Sequence, residues 1–371
     1  SARSRRNKAM ISCFIGTRAQ LIKMAPVILE IERRGLPFSL VLTGQHEETM
    51  EQLLNDFGIR TRRSYLYQGK EITGIAQMGV WFARCLWKCL RKTDKFVLGS
   101  GVNNVLLVHG DTFSTLLGAV VGKLRGLTVA HIEAGLRSGN IFHPFPEELT
   151  RRAVFRLSDL AFCPGEWSYN NMEKYSARRI NTGHNTLLDA LALALAAPQK
   201  NQAPFAEKTY GVVSIHRFEN IFYRRRLARI IRLLEKAAAQ HPLVFVLHPA
   251  TRKKLTQFNL LDELASNVRI KLLPRMGYVE FVQLIQRARF VITDGGSNQE
   301  ELSYLGIPTL LMRKTTERQE GLQTTATLCA YDENILEQFL LRLPVHVSRE
   351  LNALGVSPTK LVVDELAAYR N

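Results

Sequence analysis

Residues 105–137 read VLLVHGDTFSTLLGAVVGKLRGLTVAHIEAGLR, and the fold follows from this stretch. Val105–His109 is a short, apolar, β-forming run that ends at Gly110. An apolar helical pattern covers about Ser114–Leu124, and a second β-rich run follows at Thr128–Ile132. A strand, a helix and another strand of these lengths form a βαβ unit, which joins parallel strands. Asp111 and Glu133 each fall directly after one of the two strands. In parallel α/β sheets, ligands bind just beyond the carboxyl ends of the strands.

The same rhythm extends outward. Upstream, Met10–Ile15 leads through Gly16 into an amphipathic segment, Arg18–Arg34. Phe38–Thr43 leads to a helix near Glu47–Phe57, and another helix is expected over about Glu71–Arg91. Downstream, a helix starts at Pro146, and the strand Leu160–Cys163 closes the series. Residues 196–209 (AAPQKNQAPFAEKT) are rich in Ala, Pro and polar residues, and the rhythm then restarts. Tyr210–Ile215, Leu243–His248, Val268–Leu273, Phe290–Thr293 and Thr309–Met312 read as buried strands. The expectation is an α/β protein of two similar parallel-sheet domains facing a cleft, residues 1–185 and 186–356.

Composition sets outer bounds. A chain of 371 residues fits two domains better than one. The basic leader SARSRRNKA is set aside as a tail, and no signal-peptide pattern or bilayer-length apolar run is present. These features predict a cytosolic protein. Five cysteines without a CxxC read as reduced, buried hydrophobes, so no metal site is expected. The formal net charge is +17, but the basic runs at 3–8, 87–95 and 223–232 are short and scattered. None has the aromatic interleaving of an RNA-binding motif, so no nucleic-acid partner is expected. Attraction to an anionic membrane surface is kept as a minor alternative.

The loops after the strands carry the chemistry. No GxGxxG or GxxxxGK[ST] occurs, which disfavours dinucleotide oxidoreductases and P-loop NTPases. Arg18 follows the first strand with Lys23 five residues on, two cations that suit a diphosphate. Gly295, Gly296 and Ser297 precede a helix carrying Glu301. Small residues there let backbone N–H groups approach a phosphate, and Glu301 could accept from a ribose diol. Asp111, Glu133 and Glu147 stand near Arg137, Arg151 and Arg152, an arrangement suited to acid/base work beside an anion. Glu148 adjoins Glu147, and one of the pair could simply complement the helix N-terminus. His216 follows the first strand of the second half, where it could act on a leaving phosphate or a sugar hydroxyl.

These motifs resemble those of the bacterial UDP-N-acetylglucosamine 2-epimerase family. The matching segments are GTRAQLIKMAP (16–26), TGQHEETM (43–50), HGDTFSTL (109–116), HIEAGLRSGNIFHPFPEELTRR (131–152), TGHNTLLDAL (182–191), SIHRFEN (214–220), TDGGSNQEE (293–301) and TTERQEG (315–321). The resemblance implies the two Rossmann-like domains of the GT-B glycosyltransferases, with a last helix, about Pro358–Tyr369, returning to the first domain. It implies no cofactor, a UDP-amino sugar as substrate and a homodimer. By resemblance, Asp111, Glu133, Glu147 and His216 are catalytic. Phe281 lies against uracil, Glu301 on ribose, and Arg18 and Arg318 near the diphosphate. Lys23 and Arg137 share that pocket.

Several positions depart from the family pattern. Ala19-Gln20 replaces a usual Pro-Glu, and Gly295–Asn298 replaces Ser-Gly-Gly-Ile. Gln45 and His46 match a region where many members bind a second UDP-sugar as activator, but Lys70 stands where a glutamine is usual. That change argues against activation by substrate. The changes near Gln20 and Ser297 leave the exact sugar open. A hydrolysing relative that releases free sugar and a GT-B glycosyltransferase are the rival readings, and the retained acids argue against the second.

Overall fold

Unbroken apolar runs become central strands because both faces of a parallel sheet are covered. All five residues of β1 (Ile11–Ile15) are buried, and the same holds for β4 (Val105–His109) and β5 (Thr128–Ile132). The computed structural model describes residues 10–43, 47–69, 74–91, 104–137, 147–199, 205–206, 209–316, 318–343, 351 and 355–369. The remaining strands of the first unit are β2 (Phe38–Leu42), β3 (Arg63–Tyr65), β6 (Leu160–Cys163) and β7 (Arg178–Asn181). They form one sheet in the order β3-β2-β1-β4-β5-β6-β7, with every neighbouring pair parallel.

The second unit repeats the plan. Its strands are β8 (Gly211–Ser214), β9 (Leu243–Leu247), β10 (Ile270–Pro274), β11 (Phe290–Thr293), β12 (Thr309–Leu311) and β13 (Ala326–Leu328). They run parallel in the order β10-β9-β8-β11-β12-β13. In both sheets the strand order reverses at one place, β1/β4 in the first and β8/β11 in the second. Chains leave such a switch point in opposite directions, so the loops there part and leave a crevice.

The units comprise Ser1–Leu193 with Gly355–Asn371, and Ala194–Leu354. The division therefore falls inside the helix Leu187–Ala196, later than the expected residue 185. The helix is apolar along its length, so sequence gives no break within it. The last helix, Pro358–Tyr369, packs on the first-unit helix Arg18–Arg33. Arg34 pairs with Asp364 at 2.5 Å, Arg178 pairs with Glu365 at 2.7 Å, and the Thr359 amide donates to Asp189 at 2.8 Å.

Three strands have no counterpart in the sequence reading: β3, β7 and β13. All three lie at a sheet edge. The five cysteines are free and buried, and burial pushes the Cys13 and Cys163 thiols up to about 12. Among the described residues no helix is long and apolar enough to cross a membrane, and no three His, Cys, Asp or Glu gather as for a metal ion.

Candidate active site

The switch point of the first sheet gathers the loop after β1, the loop after β4 and the residue after β5. Gly16 ends β1 where an added Cβ would lie 1.9 Å from Ser114 Oγ, so only glycine permits this approach. Thr17 then caps the helix Arg18–Arg33, and its Oγ1 accepts from the Gln20 amide. The Gln20 side chain is buried and joins the two loops. Its Oε1 accepts from the Gly16 and Thr17 amides at 2.8 and 3.1 Å. Its Nε2 lies 2.6 Å from His109 O, 3.0 Å from Thr112 Oγ1 and 2.9 Å from Thr115 Oγ1. The glutamine that departs from the family pattern is thus a brace between strand ends.

Glu133 sits at φ 64, in the left-handed region that a side chain with a Cβ seldom adopts. Such strain persists where the surroundings over-determine the residue, and it clusters at functional sites. Here Lys23 Nζ and Asn185 Nδ2, the latter at 2.7 Å, both hold Glu133 Oε1. His109 Nδ1 lies 3.6 Å from Oε2. Lys23, expected beside Arg18 near a diphosphate, pairs with Glu133 in this structure. Arg18 is half-buried at the start of its helix and has no ion pair among the described residues. Burial holds His109 down at about 3 and His131 at about 4, so both rings are neutral near pH 7. His131 Nε2 lies 2.8 Å from Gly110 O.

The adjacent acids Glu147 and Glu148 have opposite surroundings. Glu148 is fully buried and receives Arg137 Nε at 2.6 Å, with Arg151 and Arg152 each at 3.4 Å. Arg151 also reaches Asp111 Oδ2 at 2.5 Å. Glu148 is therefore the hub of an ionic lattice that ends on Asp111. Glu147 Oε2 is buried with no hydrogen-bond partner among the described residues. An oxygen in that state lacks the hydrogen bonds that water would give it, so a ligand donor placed against it would restore one. Arg137, expected in the substrate pocket, is engaged by Glu148.

The second unit builds its switch point from one acid and two glycines. Asp294 follows β11 and is fully buried. It accepts from the His216 amide at 3.0 Å, the Arg217 amide at 2.9 Å and Asn220 Nδ2 at 2.9 Å. His216 Nδ1 lies 3.3 Å from Asp294 Oδ1, so Asp294 meets that edge of the ring. The rings of His216 and His248 lie 5.8 Å apart, and burial lowers the His248 pKa with His216 acting in the same sense.

Gly295 is the N-cap of the helix Gly296–Leu305, and no side chain caps it. A Cβ on Gly295 would lie 2.8 Å from Asn298 Oδ1 and 3.2 Å from His216 Cε1. Gly296 and Ser297 open this helix, whose free N–H groups and dipole suit an anion. Glu301 is buried beside Tyr278, whose phenol burial and Glu301 together raise well above its usual value. Phe281 is half-buried on the helix Tyr278–Gln286. Arg318 Nη1 binds Glu300 at 2.5 Å, and Gln299 ties the Arg318 loop to the same helix through Thr316 Oγ1 at 2.7 Å. Gln45, His46 and Lys70 lie outside the described residues.

Sequence reading did not single out Asn185 or His109, noted Gln20 only as a departure from the family pattern, and did not give Asp294 and Glu148 their anchoring parts. Asn185 had a weak signal in the 182–191 motif, but β7 ahead of it is too polar to mark a strand end.

Two doubly wound units, one with buried acids at its switch point and one with an uncapped helix end at its own, define an α/β enzyme of the GT-B kind. UGT2 of Phytolacca americana shares the fold at TM-score 0.59 and 12% identity over 98% of this chain and 100% of that chain. The profile of a family described as UDP-N-acetylglucosamine 2-epimerase matches residues 29–344. The UDP-N-acetylglucosamine 2-epimerase of Methanocaldococcus jannaschii is 31% identical over 92% of this chain and 93% of its own length. That of Neisseria meningitidis is 32% identical over 96% and 98%. The Neisseria meningitidis structure bound to UDP-GlcNAc superposes with TM-score 0.79 and 28% identity, covering 97% of this chain and all of the other. The chain belongs to the UDP-N-acetylglucosamine 2-epimerase family, a family of isomerases.

Proposed function

We propose that this protein epimerises C2 of a UDP-linked N-acetyl amino sugar, interconverting UDP-GlcNAc and UDP-ManNAc without hydrolysis, as a step toward cell-surface polysaccharide. One observation carries this reading. Asp111, Glu133 and Glu147 are held differently, by a half-buried arginine, by a buried lysine, and with one buried oxygen lacking a hydrogen-bond partner among the described residues, at the ends of adjacent elements in one unit. Carboxylates kept in unlike environments can serve as acid and base in one reaction.

The C2 proton of the sugar is not acidic enough to be removed alone. Elimination resolves this: a carboxylate takes the C2 proton as the C1–O bond to UDP breaks and a C1=C2 double bond forms. The result is UDP and a 2-acetamidoglucal. Re-addition reverses each step, with the proton delivered to the opposite face of C2. The departing UDP must be retained, and an anion clamp serves that need. In this proposal the backbone at Gly295, Gly296 and Ser297, with Arg18 and Arg318, holds the diphosphate. Phe281 contacts the uracil and Glu301 the ribose. His216, oriented by Asp294, serves the leaving phosphate. The reading implies a homodimer, which the mass of the protein in solution checks.

The test is the product distribution by NMR after incubation with UDP-GlcNAc. The proposal expects UDP-ManNAc and UDP-GlcNAc at equilibrium with no accumulation of free UDP. Stoichiometric free sugar and UDP would instead identify a hydrolysing enzyme.

A further inference from the structure

We infer that the second unit carries a docking surface for an anionic lipid bilayer, built on the turn between the helices Phe218–Ile221 and Arg224–Gln240. This inference does not rest on the epimerase reading. Phe218, Phe222 and Tyr223 are 61%, 46% and 61% exposed, an unusual display for three adjacent aromatic rings. Phe218 and Phe222 stack with centroids 4.1 Å apart, and Tyr223 meets both edge-on. Lys254 Nζ lies 4.0 Å from the centre of the Phe222 ring.

Cations are dense along the chain on both sides of this cluster. From Arg217 to Lys254 the chain has ten Lys and Arg against Glu219 and Glu235. Arg225, Arg229 and Arg232 are exposed at spacings of four and three, so they share one face of their helix. The opposite face is buried through Leu227, Ile230, Ile231 and Leu234. Arg224 and Arg225 form no ion pair among the described residues.

Exposed aromatic rings with Lys254 against them and Arg224 and Arg225 next in the chain match the boundary between lipid headgroups and acyl chains, where rings insert and cations meet anionic headgroups. A second copy of the chain fits poorly, since the same patch on both partners would bring like charges together. Nucleic acid fits less well than lipid. The facing surfaces of Phe218 and Phe222 are taken by each other, and Lys254 lies over Phe222, which leaves few open ring faces for bases to stack on.

The test is co-sedimentation of the full chain with vesicles of phosphatidylcholine and phosphatidylglycerol, against phosphatidylcholine alone. Binding is expected only to the anionic vesicles, and it should weaken with salt. Each cation near such a surface contributes about fivefold in partitioning, so Arg224→Glu/Arg225→Glu should lower binding about 25-fold or more. Phe222→Ser/Tyr223→Ser should lower it about tenfold with little change in salt dependence. Both variants should keep the wild-type far-ultraviolet circular dichroism, and Arg224→Gln/Arg225→Gln is the milder replacement if the charge reversal unfolds the chain. Wild type that stays in the supernatant at low salt would overturn the proposal. So would variants that bind like wild type, or a patch-dependent affinity for single-stranded RNA that exceeds the affinity for vesicles.

Discussion

The two units share a topology yet equip their switch points by opposite means. The first uses side-chain charge: Lys23 on Glu133, Arg151 on Asp111, and Glu148 beneath three arginines. The second uses backbone: Asp294 fixes a loop through amide N–H groups, and two glycines expose a helix end. The difference teaches what each place can do. Paired and braced carboxylates can move protons at fixed positions, whereas free amides and a helix dipole hold an anion without titrating. In the proposed reaction the carboxylates of the first unit move the C2 proton, and the second unit supplies His216 and most of the groups that hold the nucleotide.

Substitutions that act on one unit alone should separate these functions. Asp111→Asn keeps the shape of the side chain but removes its charge. Exchange at C2 should fall about a thousandfold or more, with UDP affinity within a few-fold of wild type by calorimetry. Loss of UDP binding would instead make Asp111 a binding or structural residue.

Glu148→Gln leaves three guanidinium groups around a neutral amide. Removing one partner of a buried ionic cluster costs about 3–5 kcal/mol, so the midpoint of urea unfolding should drop clearly. The same change at Glu147, whose Oε2 is buried without a partner, should leave stability nearly unchanged while impairing exchange.

Acid should weaken the first unit more than the second. His109 and His131 have folded-state values of about 3 and 4, below an unfolded value near 6.5. The unfolded chain therefore binds protons that the folded chain refuses. Their contribution to stability is present above about pH 6.5 and is lost as pH falls toward 4, at up to about 1.4 kcal/mol per pH unit for each ring. Replacing His109 with Gln should flatten that slope in acid unfolding curves. An unchanged slope would mean that the ring titrates normally in the folded protein.

The smallest expected effect lies in the second unit. Gly295→Ala sets a Cβ against Asn298 and His216, so the loop must shift by a few tenths of an ångström. The KM for UDP-GlcNAc should rise about tenfold with kcat less affected. A fall in kcat alone would place this loop in the chemistry.

Much of the architecture was legible because central parallel strands are apolar throughout. β1, β4, β5, β8 and β11 announce themselves in this way. The edge strands β3, β7 and β13 do not: they are three or four residues long and make ladder bonds on one side only, so their pairing is set by tertiary context. The strand-end places of Asp111 and Glu133 were legible in sequence. Their partners were not, since Lys23 lies 110 residues from Glu133 and Asn185 lies 52 away. Glu147 and Glu148 could not be told apart in sequence. Adjacent residues on a helix point about 100° apart, and only the placement of Arg137, Arg151 and Arg152 shows which acid is the anchor. Gln20 stood out in sequence only as a departure from the family pattern, and its bracing contacts, 89 to 95 residues away in the chain, were not legible there.

The most direct test of this division of roles is deuterium incorporation. Wild-type protein is incubated with UDP-GlcNAc in D₂O, and C2 is followed by NMR. The account predicts deuterium at C2 of intact UDP-GlcNAc and UDP-ManNAc. UDP-sugar recovered with its C2 proton fully retained, under conditions where UDP binds, would contradict it.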